Sequence, residues 1–475
     1  MKKQENGLGA WQLTMMALGS VIGGSFFLGS AVAVHAAGPA VLIAFAFGGI
    51  LVYFILSAIS EMTVANPKSG SFRTFAAQAF GTGTGFVVGW VYWTGMVLAM
   101  SSEATAVSIL IRHWIPNFPI WILGSAIIIV VTLINLLSID RLSKLESGLA
   151  LVKIFAIISF ILIGIALIAG IFGGHAPLGL GALKGETFSP GGLKSIAGSM
   201  LIIMFTYAGF EIIGLASSET AQPEKTVPKA IRYTVIGLVG LYLTSNVVLL
   251  SLIPTAELSE DVSPIVAALN RQGIPWAGTA INVVLITAIL STMLACMFAI
   301  GRMMRSLAEG GLTPRWLKDK TDVPYRGILF SGLSMLLALW FGMFFPRVYL
   351  FLISSAGFSI LFCYVMIMAT HIRFRRTPQY TSAENRPLHR FPYSSLFTLL
   401  ALIAAIFSMP FVEGQTSGLI AGIVIVIFYI LSYLLVRAYQ YKGKRVRQVF
   451  PSKRRLQFEL SEELSNLNLE EKDNE

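Results

Sequence analysis

A chain of 475 residues with 55% apolar and only 12% charged side chains, and a mean hydropathy of +0.74, lacks the charge that a water-soluble protein of this size needs to cover its surface. Its net charge of +11 does not argue for nucleic acid, because the basic residues sit in connections beside apolar runs, where anionic lipid heads are the simpler partner. Cys296 and Cys363 both lie inside apolar runs, so they define no disulfide framework and read as small buried thiols. Glycine, at 44 residues, exceeds its usual share of roughly 7%, as expected where helices pack closely in lipid.

The first apolar run begins at about Trp11, after a polar start with Lys2 and Lys3. It has no small-residue cleavage site and is followed by many further runs, so residues 1–11 are expected to be a retained cytoplasmic tail rather than part of a signal peptide. About 20 residues are needed to cross the hydrocarbon layer. Twelve spans are expected, near 12–36, 39–60, 84–109, 120–139, 149–172, 196–218, 231–253, 277–301, 327–345, 348–370, 394–411 and 416–437. The fold class is therefore an all-α polytopic membrane protein, in the cell membrane, with both termini cytoplasmic. That orientation leaves only Arg112, Lys184, Lys194, Arg271 and Arg347 outside, out of 35 Lys and Arg, a strong positive-inside bias.

Spans one to five and six to ten have matching layouts. They divide the chain into a first half at 12–172, a second half at 196–372, two accessory spans at 394–437 and a cytoplasmic tail at 438–475. Each half opens with a glycine-broken stretch, Gly19-Ser20-Val21-Ile22-Gly23-Gly24-Ser25 in the first and Tyr207-Ala208-Gly209-Phe210-Glu211 in the second. An isolated glycine most often permits close helix crossing. A matched pair instead predicts two helices opened at mid-depth, whose freed amides suit a carboxylate and whose freed carbonyls suit an ammonium.

These residues also resemble those of the amino acid permeases, in the amino acid–polyamine–organocation (APC) superfamily and its bacterial amino acid transporter branch. Gly19-Ser20-Val21-Ile22-Gly23-Gly24-Ser25-Phe26-Phe27 is similar to the family's first-span Gly-x-x-Ile-Gly-[Ser/Thr]-Gly-[Ile/Leu]-Phe, with Ser25 in place of the last glycine. Tyr207-Ala208-Gly209-Phe210-Glu211 is similar to its sixth-span Phe-x-Gly-x-Glu. The stretch from Glu219-Thr220-Ala221-Gln222-Pro223 to Val227-Pro228-Lys229-Ala230-Ile231 resembles its following loop. Gly301-Arg302-Met303-Met304-Arg305-Ser306-Leu307-Ala308, with Gly310 and Pro314, resembles the end of its eighth span. The resemblance implies a five-plus-five inverted-repeat core. It also implies a substrate carboxylate near Gly23, Gly24 and Ser25, with the ammonium facing carbonyls around Val21, Phe205 and Ala208 beside Gly209. Phe205 holds the position of an aromatic gate.

Ionisable residues inside spans are functional candidates. Glu103 is either a proton carrier or a polar bridge, and Glu211 either steadies the second break or transfers a proton. Lys153 either snorkels to the inner surface or, as the resemblance implies, stands where sodium-driven relatives hold their ion. Glu61 is expected at the solvent-accessible inner end of span two, and His35 and His113 at outer surfaces. Met100, Ser101, Met204, Ile289, Thr292 and Met293 are candidate walls of a mostly apolar selectivity pocket.

The reading is uptake of a free amino acid, neutral or hydrophobic, by proton symport. An exchanger is the nearest alternative, and a non-transporting sensor a more distant one. No enzyme, metal site, cofactor or nucleic-acid partner is expected, and the oligomeric state is left open.

Overall fold

The computed structural model describes residues 8–65, 71–136, 139–171, 177–216, 220, 222–318, 324–376 and 391–442. Most of the expected N-terminal tail, the tail from 443 onward, and Glu219 and Ala221 of the loop motif lie outside the described residues. Residues up to Tyr429 form one compact body; the end of the last helix, from Ile430, belongs to a second unit.

The described chain is helical, apart from an isolated parallel bridge between Leu8 and Thr220. Helix α1 (Ala10–Val21) stops at Ile22, and the chain resumes as a π-helical turn (Ser25–Gly29) that runs into α2 (Ser30–Ala37). Gly38, with φ +61, turns the chain into α3 (Val41–Ala65). Helix α4 (Ser71–Phe80) is short and amphipathic, and Gly81, with φ +98, separates it from α5 (Thr82–Ile111). Then come α6 (Ile120–Asn135) and α7 (Ile139–Ile168).

The second half opens with α8 (Gly192–Thr206), which breaks at residues 207–211 and continues as α9 (Ile212–Ala216). Prolines in the first turn, where a missing N–H costs nothing, start α10 (Pro223–Leu252), α11 (Pro264–Arg271) and α12 (Pro275–Glu309). Helices α13 (Tyr325–Gly342), α14 (Val348–Phe374), α15 (Tyr393–Phe407) and α16 (Thr416–Lys442) complete the chain. Among the described residues, eight helical segments are long and apolar enough to cross a membrane, and α6, α8 and α15 are shorter apolar helices.

Helix α5 is buried along most of its length and packs against α4, α6, α12, α13 and α14. The polarity is inverted relative to a water-soluble protein. Ser101, Ser102, Thr105, Ser108, Ser355 and Ser359 are buried, whereas Ile129, Val130, Leu133, Phe155, Leu162 and Val424 are exposed. Most of these buried hydroxyls bond carbonyls one turn back in their own helices, so these side chains meet their own demand inside an apolar layer.

Small residues let helices approach closely. A Cβ added at Gly164 of α7 would lie 2.1 Å from Val248 Cγ1 of α10. Gly164→Leu should therefore force these helices apart, costing about 1–3 kcal/mol by overpacking. The expected readout is earlier loss of monodisperse protein on heating in detergent, with Gly240→Leu, where nothing lies within 4 Å, as the tolerated comparison.

Candidate binding site at two interrupted helices

A helix interrupted inside an apolar layer exposes amides and carbonyls that need partners. At the first break, Ile22 leaves the helical conformation with ψ 102. Glu103 of α5 reaches the freed amides: its Oε2 accepts from Gly24 N–H at 2.7 Å, and its Oε1 from Ser25 N–H at 3.3 Å. The family resemblance implies a substrate carboxylate at those amides, but in this structure a carboxylate of the protein's own lies on them. A Cβ at Gly24 would sit 2.4 Å from Glu103 Oε2, so the approach requires glycine there. Ser25, which replaces the expected glycine, still presents its amide.

The carbonyls of the same break meet donors from three other helices. Lys153 of α7 donates from Nζ to Gly19 O at 2.5 Å and to Thr292 Oγ1 of α12 at 2.7 Å. The Thr292 hydroxyl lies 3.0 Å from Ile22 O, and Tyr349 of α14 donates to Gly24 O at 3.3 Å. Lys153 is 1% exposed, so the snorkelling alternative does not describe this side chain: its amine points to the broken helix rather than to the surface.

The second break is organised around Glu211. Its Oε2 accepts from Gly209 N–H at 3.0 Å and from the Tyr364 hydroxyl of α14 at 3.1 Å, while Oε1 accepts from the Tyr92 hydroxyl of α5 at 3.2 Å. Gly209 has φ +106, and a Cβ there would meet Ser20 O at 2.8 Å. This is the point where the two breaks touch, because the Ser20 hydroxyl lies 2.9 Å from Gly209 O. Thr206 Oγ1 lies 3.3 Å from Ser25 O, and Tyr242 donates to Thr206 O at 3.3 Å.

The remaining candidates divide. Thr292 and Ile289 lie against Gly23 and Gly24: each has an atom within 3.3 Å of a Cβ built there. Met100, Met204, Phe205 and Met293 are buried, and the Phe205 carbonyl already accepts from Ala208 N–H at 3.0 Å. Ser101 points elsewhere, its hydroxyl 3.0 Å from Met335 O of α13. Val21 is buried at the end of α1. Tyr349, Tyr92, Tyr364 and Ser20 were missed, since one tyrosine or serine in an apolar run carries no periodic signal.

His35 and His113 are exposed, with His35 Nδ1 3.1 Å from Thr255 O. Glu61 differs from expectation, because it is 2% exposed and not open to solvent. His371 of α14 lies 2.7 Å from its Oε2, Arg375 donates from Nε at 2.8 Å and also bonds Oε1, and Ser395 of α15 meets the other histidine nitrogen at 3.1 Å. The guanidinium of Arg375 stacks on Phe391 at 4.8 Å. Packing of α14 and α15 over the end of α3 encloses this cluster.

A bundle of membrane-length helices with two broken helices meeting at a buried polar centre has the architecture of a membrane carrier. The chain belongs to the amino acid permease family, whose model matches residues 12–450, within the bacterial amino acid transporter branch of the APC superfamily. It is thus a permease, not an enzyme. It is 32% identical over 431 residues to the γ-aminobutyric acid permease of Bacillus subtilis (strain 168), covering 90% of this chain and 92% of that one. It is 33% identical over 438 residues to the amino-acid permease RocC of the same organism, covering 89% and 93%. Identity to the aromatic amino acid transport protein AroP of Salmonella typhimurium (strain SL1344) is 32% over 415 residues, covering 86% and 91%.

Removing one member of a buried ion cluster leaves its partners uncompensated, at about 3–5 kcal/mol. Glu61→Gln should lower thermal stability in detergent by far more than Glu257→Gln, which removes an exposed pair with Arg271.

Proposed function

We propose that the protein imports a neutral or hydrophobic amino acid by proton symport, through alternating access of a five-plus-five core within twelve spans. That core comprises two inverted five-span repeats, the two accessory spans stand beside it, and both termini are cytoplasmic. The observation that carries the proton-coupled reading is the Glu103 carboxylate on the amides of Gly24 and Ser25. A proton delivered to Glu103 removes the charge that strengthens those hydrogen bonds. The substrate carboxylate then takes the amides, and its ammonium turns to carbonyls around Val21, Phe205 and Ala208.

The exchange also replaces the partner of Lys153. Before it, the Lys153 ammonium shares the broken helix with the Glu103 carboxylate; afterwards it shares it with the substrate's carboxylate, and Glu103 is neutral. One proton thus accompanies one zwitterionic amino acid, and the buried centre gains one positive charge, because the substrate's ammonium enters with its carboxylate. Lys153 and Thr292 hold the end of α1, Glu211 holds the second break, and Phe205 covers the substrate before the inner path opens.

Buried Met100, Met204, Ile289 and Met293 suit an uncharged side chain. Relatives named for γ-aminobutyric acid and for aromatic amino acids fit that preference. An exchanger would use the same contacts without return of the empty carrier.

The test is uptake of labelled L-leucine, L-phenylalanine, L-alanine, L-arginine and γ-aminobutyrate into proteoliposomes with an inward proton gradient and no internal amino acid. Accumulation of an uncharged member, abolished by a protonophore, is expected; uptake only after internal preloading would replace symport with exchange. Glu103→Gln should reduce gradient-driven accumulation by roughly tenfold, within the usual range of coupling between linked ligands, while counterflow persists. Equal losses of both would assign Glu103 to structure alone.

A further inference from the structure

A cavity of about 610 Å³ lies where the connection after α5, the segment before α11, and the turn between α13 and α14 come together beside α12. In the orientation proposed above, this is the outer side. Tyr349 lines the cavity, and its hydroxyl bonds Gly24 O, so the cavity adjoins the first interrupted helix without including its amides.

Three residues of the wall each carry a buried oxygen with no hydrogen-bond partner: Glu260 Oε2, Ser263 Oγ and Asn282 Oδ1. Asn282 donates from Nδ2 to Leu110 O at 3.0 Å, which fixes its amide so that the oxygen is the atom left over. Arg347 lies 3.4 Å from Glu260 Oε1 and thus meets only one side of that carboxylate. Burial raises the Glu260 pKa above the ordinary carboxylate range, with the Arg347 charge opposing and Asp261 adding to the rise. Buried polar atoms without partners call for a donor.

We infer that this cavity is a second amino acid site, which takes the substrate's primary ammonium on Glu260, Ser263 and Asn282 before the molecule reaches the interrupted helices. An ammonium offers three N–H donors and no acceptor, matching one carboxylate oxygen, one hydroxyl and one amide oxygen. Arg112, anchored through Nε to Pro116 O at 2.9 Å, and Arg347 line the same cavity and supply positive charge for the carboxylate end. A divalent cation of the calcium type takes six to eight oxygen ligands with several carboxylates, which three such oxygens do not provide. The inference rests on the amino acid transport proposed above and adds to it a capture step.

The test uses the full chain in nanodiscs and proteoliposomes, with the labelled amino acid that the uptake panel selects. Two molecules should bind per wild-type chain at saturation, and one per chain of Glu260→Gln or of the milder Ser263→Ala. External KM should rise roughly tenfold in Glu260→Gln, as loss of a charged hydrogen bond predicts, with maximal velocity unchanged. Glu257→Gln serves as the unaffected outer-loop control. Intact wild-type uptake with a single bound molecule, or unchanged KM in both variants, would overturn the inference alone and leave water as the occupant. A KM shift reproduced in the wild type by replacing external sodium and potassium with choline would assign the oxygens to an inorganic cation and overturn it too. Absence of any transport by the wild type would instead sink the transport proposal, while the binding count would still decide the second site.

Discussion

Inside an apolar layer, every amide and carbonyl released from a helix has to find a partner within the protein, and that demand organises the centre of this molecule. Two interruptions, at residues 22–24 and 207–211, release such groups. At the first, the partners come from distant parts of the chain: Glu103 from α5, Lys153 from α7, Thr292 from α12 and Tyr349 from α14. The buried charges in these helices are therefore consequences of the broken backbone. Replacing them with apolar residues would leave main-chain groups unmet, which is costlier than losing an ordinary packing contact.

The same demand links structure to transport. Partners that satisfy an open backbone through side chains can be exchanged for a ligand bearing the same groups, because a carboxylate is interchangeable with another carboxylate at a pair of amides. Glu103 meets this description at the first break. At the second, Glu211 is tied by Gly209 N–H, Tyr92 and Tyr364 together, and a group held from three directions is suited to keeping a shape. The two glutamates thus differ in their surroundings, although each is one acid in an apolar run.

Helices α5 and α14 relate these features. Each contributes to both breaks, α5 through Glu103 and Tyr92 and α14 through Tyr349 and Tyr364, and the two pack against one another. A shift of either helix changes the partners of both openings at once, which is the mechanical condition for coupling them. At the far end of α14, the ion cluster of His371 and Arg375 joins α3 through Glu61.

Composition and charge placement were sufficient to read a polytopic helical membrane protein, since hydrophobic length and confined basic residues are local properties of a chain. The positions of both interruptions were legible for the same reason: clustered glycines at 19–24 and Gly209 weaken a helix wherever it lies. Glu103, Lys153 and Glu211 were recognisable as unusual because charge at that depth is rare. Their partners were not recognisable. Whether Lys153 snorkels or meets Gly19 O, whether Ser101 faces the breaks or α13, and whether Glu61 is open to solvent all depend on how helices far apart in sequence are rotated against one another. Sequence alone determined that backbone groups would be exposed at two depths in the chain. Tertiary structure alone decided which side chains meet the first break, because those contacts join residues 78 to 325 positions apart, beyond the reach of any local pattern.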